Sequence, residues 1–234
     1  PRVESEPDPS ADLEEQLSDQ DQQTDDAFSE LIAEPAPSPT GDPEPGGEYR
    51  LVTRSDFDGL VCAVLLEDLE MIDDILFVEP KDMQDGKIAV TENDITTNLP
   101  YVEGVYLCFD HHLSETIRVG EKENLIIDPD KPSAARVVYE HFGGQEKFPG
   151  ISTELMDAVD KADSADYTEE DILAPGPWTL LNFMLDPRTG LSKFAEFSIS
   201  NEQLMKDMMQ YCRHHPIEEI LKIPDVEERV HLYM

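Results

Sequence analysis

The run Gly104-Val105-Tyr106-Leu107-Cys108-Phe109 is apolar and stops at Asp110-His111-His112. A short continuous apolar stretch reads as a strand buried on both faces, the mark of a parallel sheet covered by helices. Polar groups just past such a strand lie where open α/β sheets put their ligands. Two imidazoles and a carboxylate can also bind a metal or carry protons. Taken alone, the cluster reads as a strand-end turn with a capped histidine. Carboxylates at other strand ends change that reading.

Residues 49–53 form the first expected strand. Arg54-Ser55-Asp56-Phe57-Asp58-Gly59 follows, then an apolar-rich segment, 60–72, long enough for a helix. Strand, polar turn, helix is the opening of an α/β unit. On an extended backbone Asp56 and Asp58 point to one side, which is costly unless a cation sits between them. The other reading is helix capping by Asp58 or Ser55. Further strands are expected at 75–78, 87–91, 104–109 and 125–127. The first, third and fourth each deliver carboxylates just past their ends, with Asp94 following the third. Helices are expected at 133–142, closed by Gly143-Gly144, and at 151–161, 178–185, 201–211 and 216–221. His214-His215, between a helix and Pro216, reads as capping and surface chemistry. The expected fold is α/β, a mostly parallel sheet flanked by helices.

Residues 1–48 hold fifteen Asp or Glu, one basic residue (Arg2) and eight of the chain's eighteen prolines. Such a stretch buries too little apolar surface to offset its ordering entropy, so it reads as a disordered acidic tail. Residues 27–32 are its one short apolar patch, and 34–48 its Pro/Gly-rich linker. The remaining 186 residues suit one globular domain, with 38 acidic against 16 basic side chains, a balance of −22. That charge repels polyanions at long range, so duplex nucleic acid is not the expected partner, while bound divalent cations reverse the sign locally. Cys62, Cys108 and Cys212 have no paired spacing and read as reduced core thiols. No stretch has the apolar length of a membrane span, so a cytoplasmic protein is the simplest expectation.

Collected in order, Asp56-x-Asp58, Asp94, Asp110-His111-His112 and an Asp near 163 resemble the four motifs of the DHH phosphoesterase superfamily. Its members include RecJ-like exonucleases, exopolyphosphatase-like proteins and cyclic-dinucleotide phosphodiesterases. The resemblance covers roughly residues 49 to 190. Asn93-Asp94-Ile95, Asn98-Leu99-Pro100-Tyr101 and Leu180-Leu181-Asn182-Phe183-Met184 with Asp186-Pro187-Arg188-Thr189-Gly190 look like the exopolyphosphatase-like branch. The resemblance implies two divalent ions, manganese with magnesium as an alternative. Asp56 would hold one ion and Asp58 the other, with Asp94 bridging. His111 and Asp163 would complete the ligands of the second ion, Asp160 and Asp166 being alternatives to Asp163. Asp110 and His112 would orient ligands or handle protons, and Arg188 or His112 would meet the charge on phosphorus, with Arg136 and Lys161 as alternatives.

Two ions roughly 3.5–4 Å apart activate a water and hold a phosphoryl oxygen for in-line attack. The implied activity is hydrolysis of phosphodiester or phosphoanhydride bonds in a small or single-stranded polyanion: a short oligonucleotide, a cyclic dinucleotide or polyphosphate. Two departures from the family pattern stand out. Val52 and Arg54 occupy positions where many members carry a histidine that ligates the first ion. A C-terminal domain with a Gly-Gly-His-type loop is also absent, so the expected organisation is a tail (1–48), a DHH domain (49–213) and the start of a helical connector (214–234). The rival reading is a scaffold that keeps the fold while its acidic tail recruits a partner. A homodimer is compatible with either.

Overall fold

The computed structural model describes residues 49–186 and 196–234. The tail and Arg188 lie outside them. Five strands, β1 (Tyr49–Arg54), β2 (Ile72–Val78), β3 (Asp94–Thr97), β4 (Leu107–Asp110) and β5 (Leu125–Ile127), pair in parallel in the order β2-β1-β3-β4-β5. In this doubly wound order the chain moves outward both ways from the gap between β1 and β3. The crevice above that gap is where such sheets take ligands.

Successive strand residues face opposite layers, as the period of two requires. Leu51, Ile95, Leu107 and Phe109 enter the main core, whereas Val52 and Cys108 enter two smaller clusters on the other face. The main face is covered by α1 (Phe57–Asp68), α4 (Ala134–His141), α5 (Thr153–Asp163), α7 (Pro177–Leu185) and α8 (Asn201–His214). The other face is thinner, capped by α2 (Pro80–Gln84) through Met83 and by α3 (Leu113–Val119) through Val119. Helix α6 (Glu169–Leu173) follows α5 and is tied to it by Asp171, which accepts from Lys161 at 2.8 Å.

Helix α1 is buried from Phe57 to Leu66 and packs against α4, α5 and α8. That is why it is apolar all round instead of amphipathic. It starts so close to β1 that a Cβ on Gly59 would lie 2.0 Å from the Arg54 carbonyl oxygen. Only glycine lets the first turn seat there, and this seating fixes Asp56 and Asp58 relative to the sheet.

Two expectations need correction. The third strand is β3, not residues 87–91, whose Ile88 and Val90 pack as side cover on the smaller clusters. Helix α1 begins at Phe57, not at residue 60, because Asp56 caps it: its Oδ1 accepts from the Gly59 amide at 3.0 Å. The capping residue is therefore neither Asp58 nor Ser55. Ile217 and Ile220 of α9 (Ile217–Ile220) and Val226 of α10 (Pro224–Tyr233) join the same cluster as α1 and β4. All three cysteines are buried and free, and no helix among the described residues is long and apolar enough to cross a membrane.

Candidate metal centre

The carboxyl ends of β1, β3 and β4 converge with the amino end of α4 and the carboxyl end of α5. Asp58, in the first turn of α1, is 2% exposed, and its two oxygens accept from the Ala134 and Ala135 amides at 3.0 and 2.8 Å. The positive end of α4 thus orients the carboxylate. Burial first, then Asp163 and Asp56, raise the Asp58 pKa well above the usual carboxylate range. Burial also pushes Asp56 up to about 6, against the pull of Arg54.

His111 follows β4. Its Nδ1 lies 3.1 Å from the Lys131 carbonyl oxygen, which can only accept, so Nδ1 carries the proton. Its Nε2 is 2.8 Å from Asp163 Oδ2 at the end of α5. That approach is short but lacks hydrogen-bond geometry, so Nε2 is buried without a hydrogen-bond partner among the described residues. Burial works against charging this ring, yet Asp163 and Asp58 outweigh it and raise the pKa to about 9. A proton on Nε2 therefore occupies the place a cation would take. Asp58, His111 and Asp163 each offer a ligand atom within 4.8 Å of the others.

Other buried polar atoms at these strand ends have no hydrogen-bond partner among the described residues: Asn98 Oδ1 and Asp110 Oδ2. Unpaired buried acceptors are costly, and several facing one crevice fit a cation. Two carboxylates with one imidazole suit manganese or magnesium better than a closed, thiolate-rich zinc site.

The structure sorts the sequence candidates. Asp56, Asp58, His111, Asp110 and Asp163 sit at the crevice. Of the alternatives to Asp163, Asp160 is taken by Ser133 Oγ at 2.7 Å and by the Arg136 fork at 2.8 and 2.6 Å, and Asp166 is exposed. Arg136 is thereby committed, as is Lys161, which bonds Asp171 at 2.8 Å. His112 is half-exposed, with Nδ1 2.8 Å from Asp110 Oδ1. Arg188 lies outside the described residues.

Asp94 is not in the crevice. It is the first residue of β3, paired in register with Arg50 near the start of β1. Its carboxylate is forked by Arg50 at 2.7 and 3.0 Å and accepts from the Thr91 amide at 2.6 Å. The residue past the carboxyl end of β3 is Asn98, four positions or about 13 Å further along the strand. A strand expected seven residues too early thus put the carboxylate at the wrong end of the sheet. Asn98 takes the left-handed backbone at φ 52° that asparagine tolerates, and its Nδ2 donates to Asp56 Oδ1 at 3.2 Å. Sequence reasoning that collected carboxylates passed over this neutral amide. Asp94→Asn should accordingly lower stability by about 2 kcal/mol, since it leaves Arg50 half-paired, without changing manganese affinity. Melting curves alongside titration calorimetry will check this. Lost binding at unchanged stability would return Asp94 to the centre.

Beside the crevice lies a cavity of about 180 Å³, lined by Arg54, Asn98, Asp110, His112 and Ser114 among others. It shares Gln84 and Pro100 with a larger cavity of about 520 Å³ that reaches Tyr101, Arg118 and Lys122.

No protein-family model matches the chain, and no curated protein matches it. Among solved structures, the chain is similar to a pGpG-specific phosphodiesterase, PggH from Vibrio cholerae, at 57% sequence identity and a TM-score of 0.73. The match covers 80% of this chain and 60% of that one, so the chain spans about three fifths of the length of the phosphodiesterase.

Proposed function

We propose that the chain carries the metal centre of a divalent-metal-dependent phosphodiesterase of the DHH superfamily, hydrolysing a small linear dinucleotide of the pGpG class. One observation carries the reading. Asp58, His111 and Asp163 converge at the switch point of a sheet whose chain is 57% identical to a pGpG-specific phosphodiesterase. The two neighbouring cavities, which share Gln84 and Pro100, give a dinucleotide room, and a small substrate suits a surface that repels long polyanions.

In this reading Asp58, His111 and Asp163 hold the ion, manganese by preference. When bound, it supplies Lewis acidity and a water of lowered pKa. The Ala134 and Ala135 amides keep the Asp58 oxygens in place. The Lys131 carbonyl fixes the His111 tautomer so that Nε2 faces the ion. Asp110 holds His112 through Nδ1, which directs the other ring nitrogen to the cavity for a phosphoryl oxygen or the leaving oxygen. Arg188 is proposed as a further phosphoryl contact.

The test is hydrolysis of pGpG, a cyclic dinucleotide, a longer oligonucleotide and polyphosphate, each with manganese, with magnesium and with chelator. Manganese-dependent cleavage of pGpG above the rest is the expected result. Metal binding with no turnover on any of them would favour the scaffold reading, to which the absence of a histidine at Val52 and Arg54 already lends weight.

A further inference from the structure

We infer that this centre takes one divalent ion, at Asp58, His111 and Asp163, and that the Arg54 guanidinium stands in the place of a second. The inference rests on the proposed phosphodiesterase reading and concerns the same crevice.

A second ion beside Asp56 needs several hard, anionic oxygens with free lone pairs. Around Asp56 the oxygens are mostly engaged by donors or neutral. Asp56 Oδ2 is 2.8 Å from Arg54 Nε, and Oδ1 accepts from the Gly59 amide at 3.0 Å and from Asn98 Nδ2 at 3.2 Å. Both oxygens of that carboxylate thus already face donors, Oδ1 two of them and Oδ2 the guanidinium. Asp94 lies four positions, about 13 Å, back along β3 from Asn98 and is bound by Arg50 and Thr91. Asn98, which takes the strand-end position, is neutral. Val52, a residue with no ligand atom, is fully buried. Asp110 has spent one oxygen on His112. The first-ion half of the crevice therefore offers the engaged Asp56 carboxylate with one free oxygen each from Asp110 and the neutral Asn98, where the other half offers two carboxylates and an imidazole nitrogen without a hydrogen-bond partner.

Arg54 has what the second place requires. Its side chain is 29% exposed, ends β1 at the switch point and lines the 180 Å³ cavity with His112 and Asn98. Nε is held by Asp56, and no other described residue is bonded to its two terminal nitrogens. The geometry leaves those N–H groups for phosphoryl oxygens, in the fork arrangement that suits phosphate. Unlike an ion, this cation is covalently fixed and always charged, so it needs no recruitment from solution.

Metal content by equilibrium dialysis and the electron paramagnetic resonance of bound manganese decide the matter. The full chain should bind one manganese per molecule with the signal of an isolated ion. Arg54→Met should bind one ion with affinity within threefold of the parent, while pGpG turnover falls about 100-fold, the effect of removing one charge-stabilising donor. Two ions per chain with an exchange-coupled signal would overturn the inference and leave the phosphodiesterase reading standing. Unchanged turnover in Arg54→Met would overturn the role of Arg54. No bound ion at all would overturn both the inference and the reading beneath it.

Discussion

Asp163→Asn should cost the protein its divalent ion while barely changing the stability of the metal-free fold. Asp163 sits in the last turn of α5 with its Oδ2 2.8 Å from His111 Nε2, and its charge is among those that raise Asp58 and Asp56. Removing that charge has two opposite effects on the metal-free protein. It relieves repulsion among three buried or half-buried carboxylates, and it takes away the partner of a charged His111. At half-buried positions each effect is about 1 kcal/mol, so they nearly cancel. Nothing cancels in the metal-bound protein, where one of three protein ligands becomes a neutral amide. Manganese affinity should fall more than about 100-fold, a greater loss than removing an outer hydrogen-bond partner usually gives. Turnover on pGpG should fall about 1,000-fold, equivalent to about 4 kcal/mol of transition-state stabilisation. Calorimetric titration and thermal melting, each with and without manganese, separate the effects. The variant should melt near the parent temperature without metal and lose the metal-induced rise. A variant that still gains stability from manganese would show that Asp163 is not a ligand.

What the sequence revealed and what it hid follow from the kinds of residue involved. The strand before Asp110 was legible because Leu107 to Phe109 is apolar on both faces, which only a covered strand explains. Helix α4 was legible because Ser133 caps it, its hydroxyl accepting from the Arg136 amide, and Gly143 follows its end. β3 was not, for it has a single aliphatic residue, Ile95. Its buried Thr97 is accommodated by a hydroxyl pair with Thr53 at 2.7 Å, a match between distant strands that no local pattern displays. The more hydrophobic Ile88 and Val90 next door took its place in the reading. That slip moved the expected strand end to Asp94 and hid Asn98. The pairing of Arg54 with Asp56 was hidden for a related reason. A residue read as a missing ligand becomes a cation in its own right only when the turn brings its guanidinium back onto the carboxylate two positions away.

Metal-free protein should lose stability steadily as pH rises from about 4 to 9, and manganese should reverse the trend. Burial holds Asp56 at about 6 against an ordinary 3.8, so the folded state keeps a proton that the unfolded chain gives up. Between those values stability falls as pH rises, by up to about 3 kcal/mol from this group. Asp58 is likewise raised well above the ordinary range, first by burial and then by Asp163, and adds a slope of the same sign. His111 is raised from 6.5 to about 9, so the stability its charge contributes is complete below 6.5 and disappears through 9. All three slopes share one sign. Asp171, held near 2 by Lys161 and Thr168, acts only below about pH 4 and lies outside this window. A bound ion requires Asp58 deprotonated and His111 Nε2 bare, so binding expels protons and strengthens as pH rises. Melting temperatures from pH 5 to 9 should fall without metal. With saturating manganese they should stay level or rise, so the gap between the curves widens with pH. Calorimetry at neutral pH in buffers of different ionisation enthalpy should register the released protons directly. Parallel melting curves and a buffer-independent heat would mean that the cation does not replace the proton on His111, and that the centre lies elsewhere in the crevice.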